Sequence, residues 1–275
     1  MGYKLPKLPE RKENSNKGTF GKILNVSGSE YMTGAGVLSS ISALKIGAGY
    51  VELASQENVL KAVSFQAPEV VLAPISKIEE LIKTSTVLLI GCGLSTTDEA
   101  IKLFQNTISK AKNLPTVIDA DGLNILAKNK IELPDQTILT PHPKEAARLL
   151  NCELDKVLND FDVCAKQISE IYNCVTVLKS HQTIVVSPSG EIYRNTTGNS
   201  ALAKAGSGDV LAGMIAGLLA QKMNVFDASV LGVYLHGLAG DLAKENLSAY
   251  GVLASDTIRY IPLAIKNTFF SKVAG

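Results

Sequence analysis

The run NSALAKAGSGDVLAGMIAGLLA, residues 199–220, constrains this chain more than any other segment. Its first half is small and polar and ends in Gly206-Ser207-Gly208-Asp209. Its second half, 210–220, carries no charge. There Val210, Met214 and Leu218 recur at i, i+4 and i+8 beside Leu211, Ile215 and Leu219, which makes one broad helical face. Between them sit Ala212, Gly213, Ala216, Gly217 and Ala220, so the opposite face is flat enough to press against another backbone. Each interior glycine costs a helix about 1 kcal/mol relative to alanine. Such a helix is therefore held by burial rather than by propensity.

A buried helix that begins at Gly-Ser-Gly-Asp aims free backbone N–H groups and the positive end of its dipole at one spot. That spot suits an anion, and Asp209 is the one charged side chain at its mouth. A plain turn with Asp209 as N-cap is the simpler alternative. Capping alone requires neither the flanking glycines nor a charge-free helix behind them, so the residues favour an anion site with a carboxylate beside it.

The rest of the chain supplies a frame for this element. Apolar runs at 22–26, 50–54, 70–73, 87–91, 116–119 and 137–140 alternate with helical spacing at 37–46, 57–65, 77–83, 97–111, 121–128 and 143–150. That alternation predicts a mostly parallel sheet covered on both faces, an α/β chain in three αβα layers. One long helix is expected from about 155 to 173. An antiparallel meander follows at 175–179, 183–187 and 191–194, and helices follow at 210–221, 226–246 and 254–271. Leu5 and Leu8 anchor a polar lead-in. Without a linker or repeat, the 275 residues read as one domain, 1–275.

Strands of an open α/β sheet present ligands at their carboxyl ends. Here those ends are Ser27-Gly28-Ser29, Gly91-Cys92-Gly93, Asp119-Ala120-Asp121-Gly122, Thr140-Pro141-His142 and Lys179-Ser180-His181. They should line one rim with the start of the charge-free helix. Asp119 and Asp121 suit either binding or capping, and Cys92 reads as small filler in a tight turn. His142 between two prolines suits a ligand contact at a strand tip. His236, mid-helix, reads as a packing residue.

Composition excludes several classes. A net charge of +1 gives no footprint for nucleic acid or an anionic membrane. No uninterrupted apolar segment reaches the ~20 residues of a membrane span. Four scattered cysteines without a C-x-x-C pair, and three histidines, read as reduced core residues rather than a zinc site. These features together read as a soluble cytoplasmic protein. No P-loop, complete dinucleotide fingerprint or G-x-S-x-G elbow occurs.

The run at 199–220, with GSEYMTGAGVLSSISALKIGAGYVELAS, APEVVLAP, IGCGLS, VIDADGLNIL, TPHPKEAARLL and LGVYLHGLAGDLAKE in this order, resembles the NAD(P)H-hydrate dehydratases of the ribokinase-like fold. The resemblance extends from about residue 22 to residue 245. It implies a ribokinase-like sheet and nucleotide-dependent dehydration of the S-epimer of hydrated NADH or NADPH. ADP is the expected phosphoryl donor, with ATP used by some members, and AMP and phosphate are released. Carried onto this sequence, Asp209 is the base that takes the hydroxyl proton, and the amides of Gly206, Ser207 and Gly208 stabilise the moving phosphoryl group. Ala35, Gly93, His142 and Asp209 match contacts to the hydrated dinucleotide. Lys179, Ser180, His181, Gln182 and Thr183, with Gly208, match the adenine-nucleotide side. Glu145 matches a glutamate that organises magnesium. The family also implies a homotetramer and, for a chain without an epimerase domain, a separate epimerase. Family members often carry glycine after the lysine at 179, where this chain has Ser180-His181-Gln182. The competing readings are a ribokinase-like kinase for a vitamin precursor and a non-enzymatic nucleotide sensor; retention of Asp209 disfavours the sensor.

Overall fold

The computed structural model describes residues 4–270. Nine strands form one sheet: β1 (Lys22–Val26), β2 (Tyr50–Ser55), β3 (Val71–Pro74), β4 (Val87–Ile90), β5 (Thr116–Ile118), β6 (Thr137–Leu139), β7 (Val175–Leu178), β8 (Ile184–Val186) and β9 (Ile192–Arg194). Their order is β3-β2-β1-β4-β5-β6-β7-β8-β9. From β3 through β7 all neighbours pair in parallel, whereas β7–β8 and β8–β9 pair antiparallel, as the meander predicts. The chain lays β2 and β3 to one side of β1 and then returns to its other side with β4. The β1–β4 boundary is therefore a topological switch point, the place where a crevice opens beyond the strand ends.

Eleven helices are described: α1 (Thr33–Lys45), α2 (Glu57–Ser64), α3 (Ile78–Ile82), α4 (Asp98–Lys110), α5 (Asp121–Lys128), α6 (Pro143–Leu149), α7 (Leu154–Asn159), α8 (Phe161–Tyr172), α9 (Ser207–Ala220), α10 (Val225–Gly251) and α11 (Ala254–Phe269). One apolar cluster joins α1, α2, α9, α10 and α11 to one face of the sheet. The other joins α3 to α8 to the opposite face. Leu5 and Leu8 pack on the first cluster. The expected helix over 155–173 is two helices broken at Asp160 (φ −118°, ψ 48°), where Asn159-Asp160 joins two weak helix formers. The helix expected at 226–246 extends to Gly251, with Ser248 in a non-helical conformation (φ 66°). Residue 271 of the last expected helix lies outside the described residues.

The flat face of α9 does what its sequence suggests. A Cβ at Gly213 would fall 2.1 Å from the Ser39 carbonyl oxygen, and one at Gly217 would fall 2.7 Å from that of Ala43. Both neighbours belong to α1, so the two helix backbones are in near contact. The bulky face, Val210, Met214, Ile215 and Leu218, is fully buried. At about 1.5–3 kcal/mol for each large apolar side chain buried, that face outweighs the two glycine penalties.

In an ordinary helix interior Gly→Ala stabilises by up to about 1 kcal/mol. Gly213→Ala should instead destabilise by at least ~2 kcal/mol, because the methyl has no space against α1. Denaturant titration checks this against Gly34→Ala, where an added Cβ meets nothing within 4 Å. A Gly213→Ala chain as stable as the parent would refute the close packing.

Candidate active site at the strand tips

The carboxyl ends of β4 to β7 and the start of α9 converge on a group of charged side chains. Asp119 directly follows β5 and is 1% exposed. Its Oδ1 accepts from Lys179 Nζ at 2.7 Å and from Thr140 Oγ1 at 2.7 Å. Lys179, at the end of β7, also lies 3.9 Å from Glu145 Oε2. Its own N–H donates to the Pro141 carbonyl at 2.8 Å, which ties the β6 and β7 tips together. Burial works against the Lys179 ammonium, but Asp119 and Glu145 outweigh it and its pKa is raised.

His142 and Glu145 form a reciprocal cap at the start of α6. The His142 N–H donates to Glu145 Oε2 at 2.8 Å, and the Glu145 N–H donates to His142 Nδ1 at 3.2 Å. His142 Nε2 lies 3.2 Å from Glu145 Oε1. Burial and the nearby Lys179 lower the His142 pKa, so the ring is neutral at pH 7. Glu145 is pushed up to about 7, chiefly by burial and further by Asp119, with Lys179 opposing.

Asp209 occupies the first turn of α9, but it does not cap the helix. The N-cap is Gly206 at φ 91°, where a side chain would meet Leu38 and Ala254 at 2.6 and 3.0 Å. Only glycine fits that conformation and space. The amides at 206–209 have no intrahelical acceptor by helix geometry. That of Ser207 donates to the Lys204 carbonyl at 3.3 Å, which leaves Gly206, Gly208 and Asp209 for an anion. A Cβ on Gly208 would lie 3.3 Å from Lys179 Nζ and 3.5 Å from Asp119 Oδ2, so the helix start directly faces the ion pair. Burial, then the negative charge of Asp119, raise Asp209 to about 6.

Cys92 is more than turn filler. Its Sγ lies 3.9 Å from Asp119 Oδ2, and the ligating atoms of Cys92, Asp119 and Asp209 all fall within 4.8 Å of one another. Burial and the two carboxylates hold the thiol protonated, well above its usual range. Asp121 neither caps α5 nor joins this group; it accepts from the Ser95 N–H at 2.8 Å.

A cavity of about 700 Å³ opens beside the group. His142, Lys179, Ser180, His181, Thr183, Ser207 and Gly208 line one side, and residues of 195–205 with Val233, His236 and Gly237 line the other. Ser180, His181 and Gln182 make an exposed turn held by its own side chains: the Ser180 N–H donates to Thr183 Oγ1, and the Gln182 N–H to Ser180 Oγ. Gln182 is not part of the lining. Ala35 and Gly93 are not part of it either; they pack on each other, and a Cβ on Gly93 would approach the Ala35 Cβ to 2.7 Å.

Sequence reading missed the 195–200 wall. It is pinned to α10 by the Gly198 N–H and Asn199 Nδ2 on Asp241 (2.9 and 2.7 Å) and by Thr197 Oγ1 on the Tyr234 carbonyl (2.8 Å). The polar run NTTGNS ahead of Gly206 was the available signal. His236 is buried but lines this cavity instead of serving only helix packing. Its Nε2 has no hydrogen-bond partner among the described residues, and burial lowers its pKa to about 4.

A family model described as NAD(P)H-hydrate dehydratase matches residues 23–263. The chain belongs to the NAD(P)H-hydrate dehydratase family. It is 41% identical over 253 residues to an ADP-dependent (S)-NAD(P)H-hydrate dehydratase of Neisseria meningitidis, covering 90% of this chain and 85% of the relative. It superposes with a TM-score of 0.86, at 32% identity and 94% coverage of both chains, on the Bacillus subtilis ADP/ATP-dependent NAD(P)H-hydrate dehydratase co-crystallised with ATP and Mg2+. A ribokinase-like superfamily protein of Enterococcus faecalis gives 0.86 at 25% identity, covering 94% of this chain and 92% of that one. The ribokinase-like fold expected for a dehydratase of this family is therefore the observed one. The chain spans about half the length of the bifunctional NAD(P)H-hydrate repair enzymes it also matches. No described helix is long and apolar enough to cross a membrane.

Proposed function

We propose that the chain dehydrates the S-epimer of hydrated NADH or NADPH at the expense of ADP, restoring the dihydronicotinamide and releasing AMP and phosphate. The observation that carries this reading is Asp209: a partly buried carboxylate lifted to about 6, at the amide-bearing start of a buried helix. A base near that value is ionised at pH 7 yet basic enough to accept a proton.

Asp209 takes the proton of the ring hydroxyl as its oxygen attacks the terminal phosphoryl of ADP. The bond from that phosphorus to the bridging oxygen breaks and AMP leaves. The amides of Gly206, Gly208 and Asp209 and the Lys179 ammonium face the charge that spreads over the phosphoryl oxygens. The ring nitrogen then expels phosphate, and loss of a proton from the neighbouring ring carbon re-forms the double bond. His142, neutral and capped by Glu145, Ala35 and Gly93 bound the dinucleotide. Lys179, Ser180, His181 and Thr183 lie on the nucleotide side of the larger cavity, with Gln182 in the same turn.

A magnesium ion fits the oxygen donors at this place. Asp119 raises the pKa of both Asp209 and Glu145, a like-charge opposition that a dication relieves. The protonated Cys92 is excluded as its ligand. Glu145, with Asp119, would hold the ion together with phosphate oxygens and water, leaving Asp209 free as the base. It would supply neutralisation of the phosphate charge.

The chain works as one domain and as a homo-oligomer, a tetramer in the family pattern, in the cytoplasm. Exposed Tyr250 (94%), with Leu247 and Leu253 where α10 meets α11, offers an apolar face for such contacts. Coupling to an epimerase activity is suggested by the bifunctional relatives.

Incubation of hydrated NADH with ADP and magnesium should restore the near-ultraviolet band of NADH, and omission of nucleotide should abolish the recovery. A stable phosphorylated thiazole or pyrimidine alcohol formed in its place would establish the kinase reading instead.

A further inference from the structure

A second cavity, of about 390 Å³, opens at the β1–β4 switch point. Gly28, Ser29, Glu30, Tyr31 and Met32, which follow β1, form one wall, and Leu94, Ser95, Thr97 and Glu99, which follow β4, form another. Ser55 and Gln56 at the end of β2 close it. Its size lies within the ~300–1,000 Å³ of ordinary ligand pockets.

This cavity abuts the catalytic group through one thin partition. The Gly28 N–H donates to the Cys92 carbonyl at 2.8 Å, and a Cβ on Gly93 would lie 3.0 Å from the Met32 Cβ. Cys92 on the far side stands against Asp119 and Asp209. A dinucleotide whose nicotinamide reacts at Asp209 has a second nucleoside to accommodate. The larger cavity is needed for the phosphoryl donor, so the adenosine end must continue along the rim. This cavity opens on that rim, directly across the partition.

The charge of the cavity is as informative as its position. Glu30 and Glu99 are the only ionisable side chains in the lining besides the Tyr31 phenol, and no lysine, arginine or histidine contributes. Both carboxylates are exposed. A hydrogen bond from its own backbone N–H, and one from Thr97, lower the Glu99 pKa, so it is ionised at pH 7. A carboxylate accepts hydrogen bonds from a ribose hydroxyl, whereas a 2′-phosphate calls for arginine or lysine. Tyr31, 90% exposed at the mouth, offers a ring for a base to stack on.

We propose that this cavity takes the adenosine end of the substrate in its 2′-hydroxyl form, so that the enzyme prefers hydrated NADH to hydrated NADPH. The proposal rests on the dehydratase reading above. Repulsion between two exposed carboxylates and a 2′-phosphate is weakened by solvent, so a preference of about five- to tenfold in kcat/KM is expected. It should lie in KM and shrink as ionic strength rises.

The experiment compares kcat/KM for the two hydrates, with ADP and magnesium, in the parent chain, in Glu30→Gln/Glu99→Gln and in Glu99→Lys. Titration calorimetry with NADH and NADPH as unhydrated probes runs alongside. The parent should favour the NADH form, the double variant should bring the ratio towards one, and Glu99→Lys should favour the phosphorylated form. Equal or better use of hydrated NADPH by the parent, or a ratio unmoved in both variants, overturns the proposal. Failure to restore either hydrate, with the calorimetric preference and its loss intact, overturns the reaction reading and leaves the cavity assignment standing. Both substitutions are on exposed positions, and melting curves confirm that the variants fold.

Discussion

Asp209→Asn should lower turnover of hydrated NADH by about 10²- to 10⁴-fold, the usual cost of losing a general base. Asparagine keeps the size and one oxygen of the carboxylate but cannot accept the hydroxyl proton. Affinity for ADP should change far less, because the amides facing the phosphates belong to the backbone. Asp209 titrates at about 6 in the folded chain against an ordinary 3.8, so the folded state binds its proton more tightly than the unfolded state. This group's contribution to stability therefore grows as pH falls from about 6 towards 4, and above pH 6 the buried charge destabilises the fold by up to ~3 kcal/mol. At pH 7 the Asn variant should melt no lower than the parent, and should melt higher if that cost is recovered. A mere N-cap would behave in the opposite way, with activity kept and stability reduced. In the parent, turnover should rise with pH through about 6 as Asp209 ionises. Retention of more than about a tenth of parent turnover in Asp209→Asn, measured with melting temperature on the same sample, would remove Asp209 from the mechanism.

Much of this site was readable because its elements carry local signals. Alternating apolar runs marked every strand, and the charge-free run with its glycines marked α9 and the face it presents to α1. The strand tips and the start of α9 therefore put Asp119, His142, Lys179 and Asp209 on one rim from sequence pattern alone. What stayed hidden was long-range. Nothing near Cys92 in sequence announces that β5 and α9 bring two carboxylates to its thiol. The 195–200 loop gains its shape from Asp241, more than forty residues away on α10. His236 sits at helical spacing among apolar neighbours, so periodicity could only describe it as packing. The cavity beside Glu30 and Glu99 depends on strand order, since the switch point exists only once β4 is known to pair with β1.

The same long-range geometry makes loss of the Lys179 side chain costly in stability. Its ammonium is the cation bonded to Asp119 and lies near Glu145, and those carboxylates are 1% and 5% exposed. Replacing both partners of a buried pair by apolar groups can be neutral, but removing one leaves the other charge uncompensated, at about 3–5 kcal/mol. Lys179→Met keeps most of the apolar stem and deletes the charge and donors. It should lower the melting temperature by roughly 5–15 °C for a domain of this size. A purely structural ion pair would show no more than that. Lys179 also holds down the pKa of Asp209, so its removal should move the acid limb of the pH–turnover profile upward from about 6. Turnover itself should fall steeply, because the phosphoryl group loses the cation facing Gly208. Lys179→Arg, which restores charge but not the compact ammonium, should recover most of the stability and the position of the limb while recovering little of the rate. A Met variant with the parent's melting temperature would refute the buried-pair argument. An acid limb that stays at about 6 in that variant would break the electrostatic link from Lys179 to Asp209.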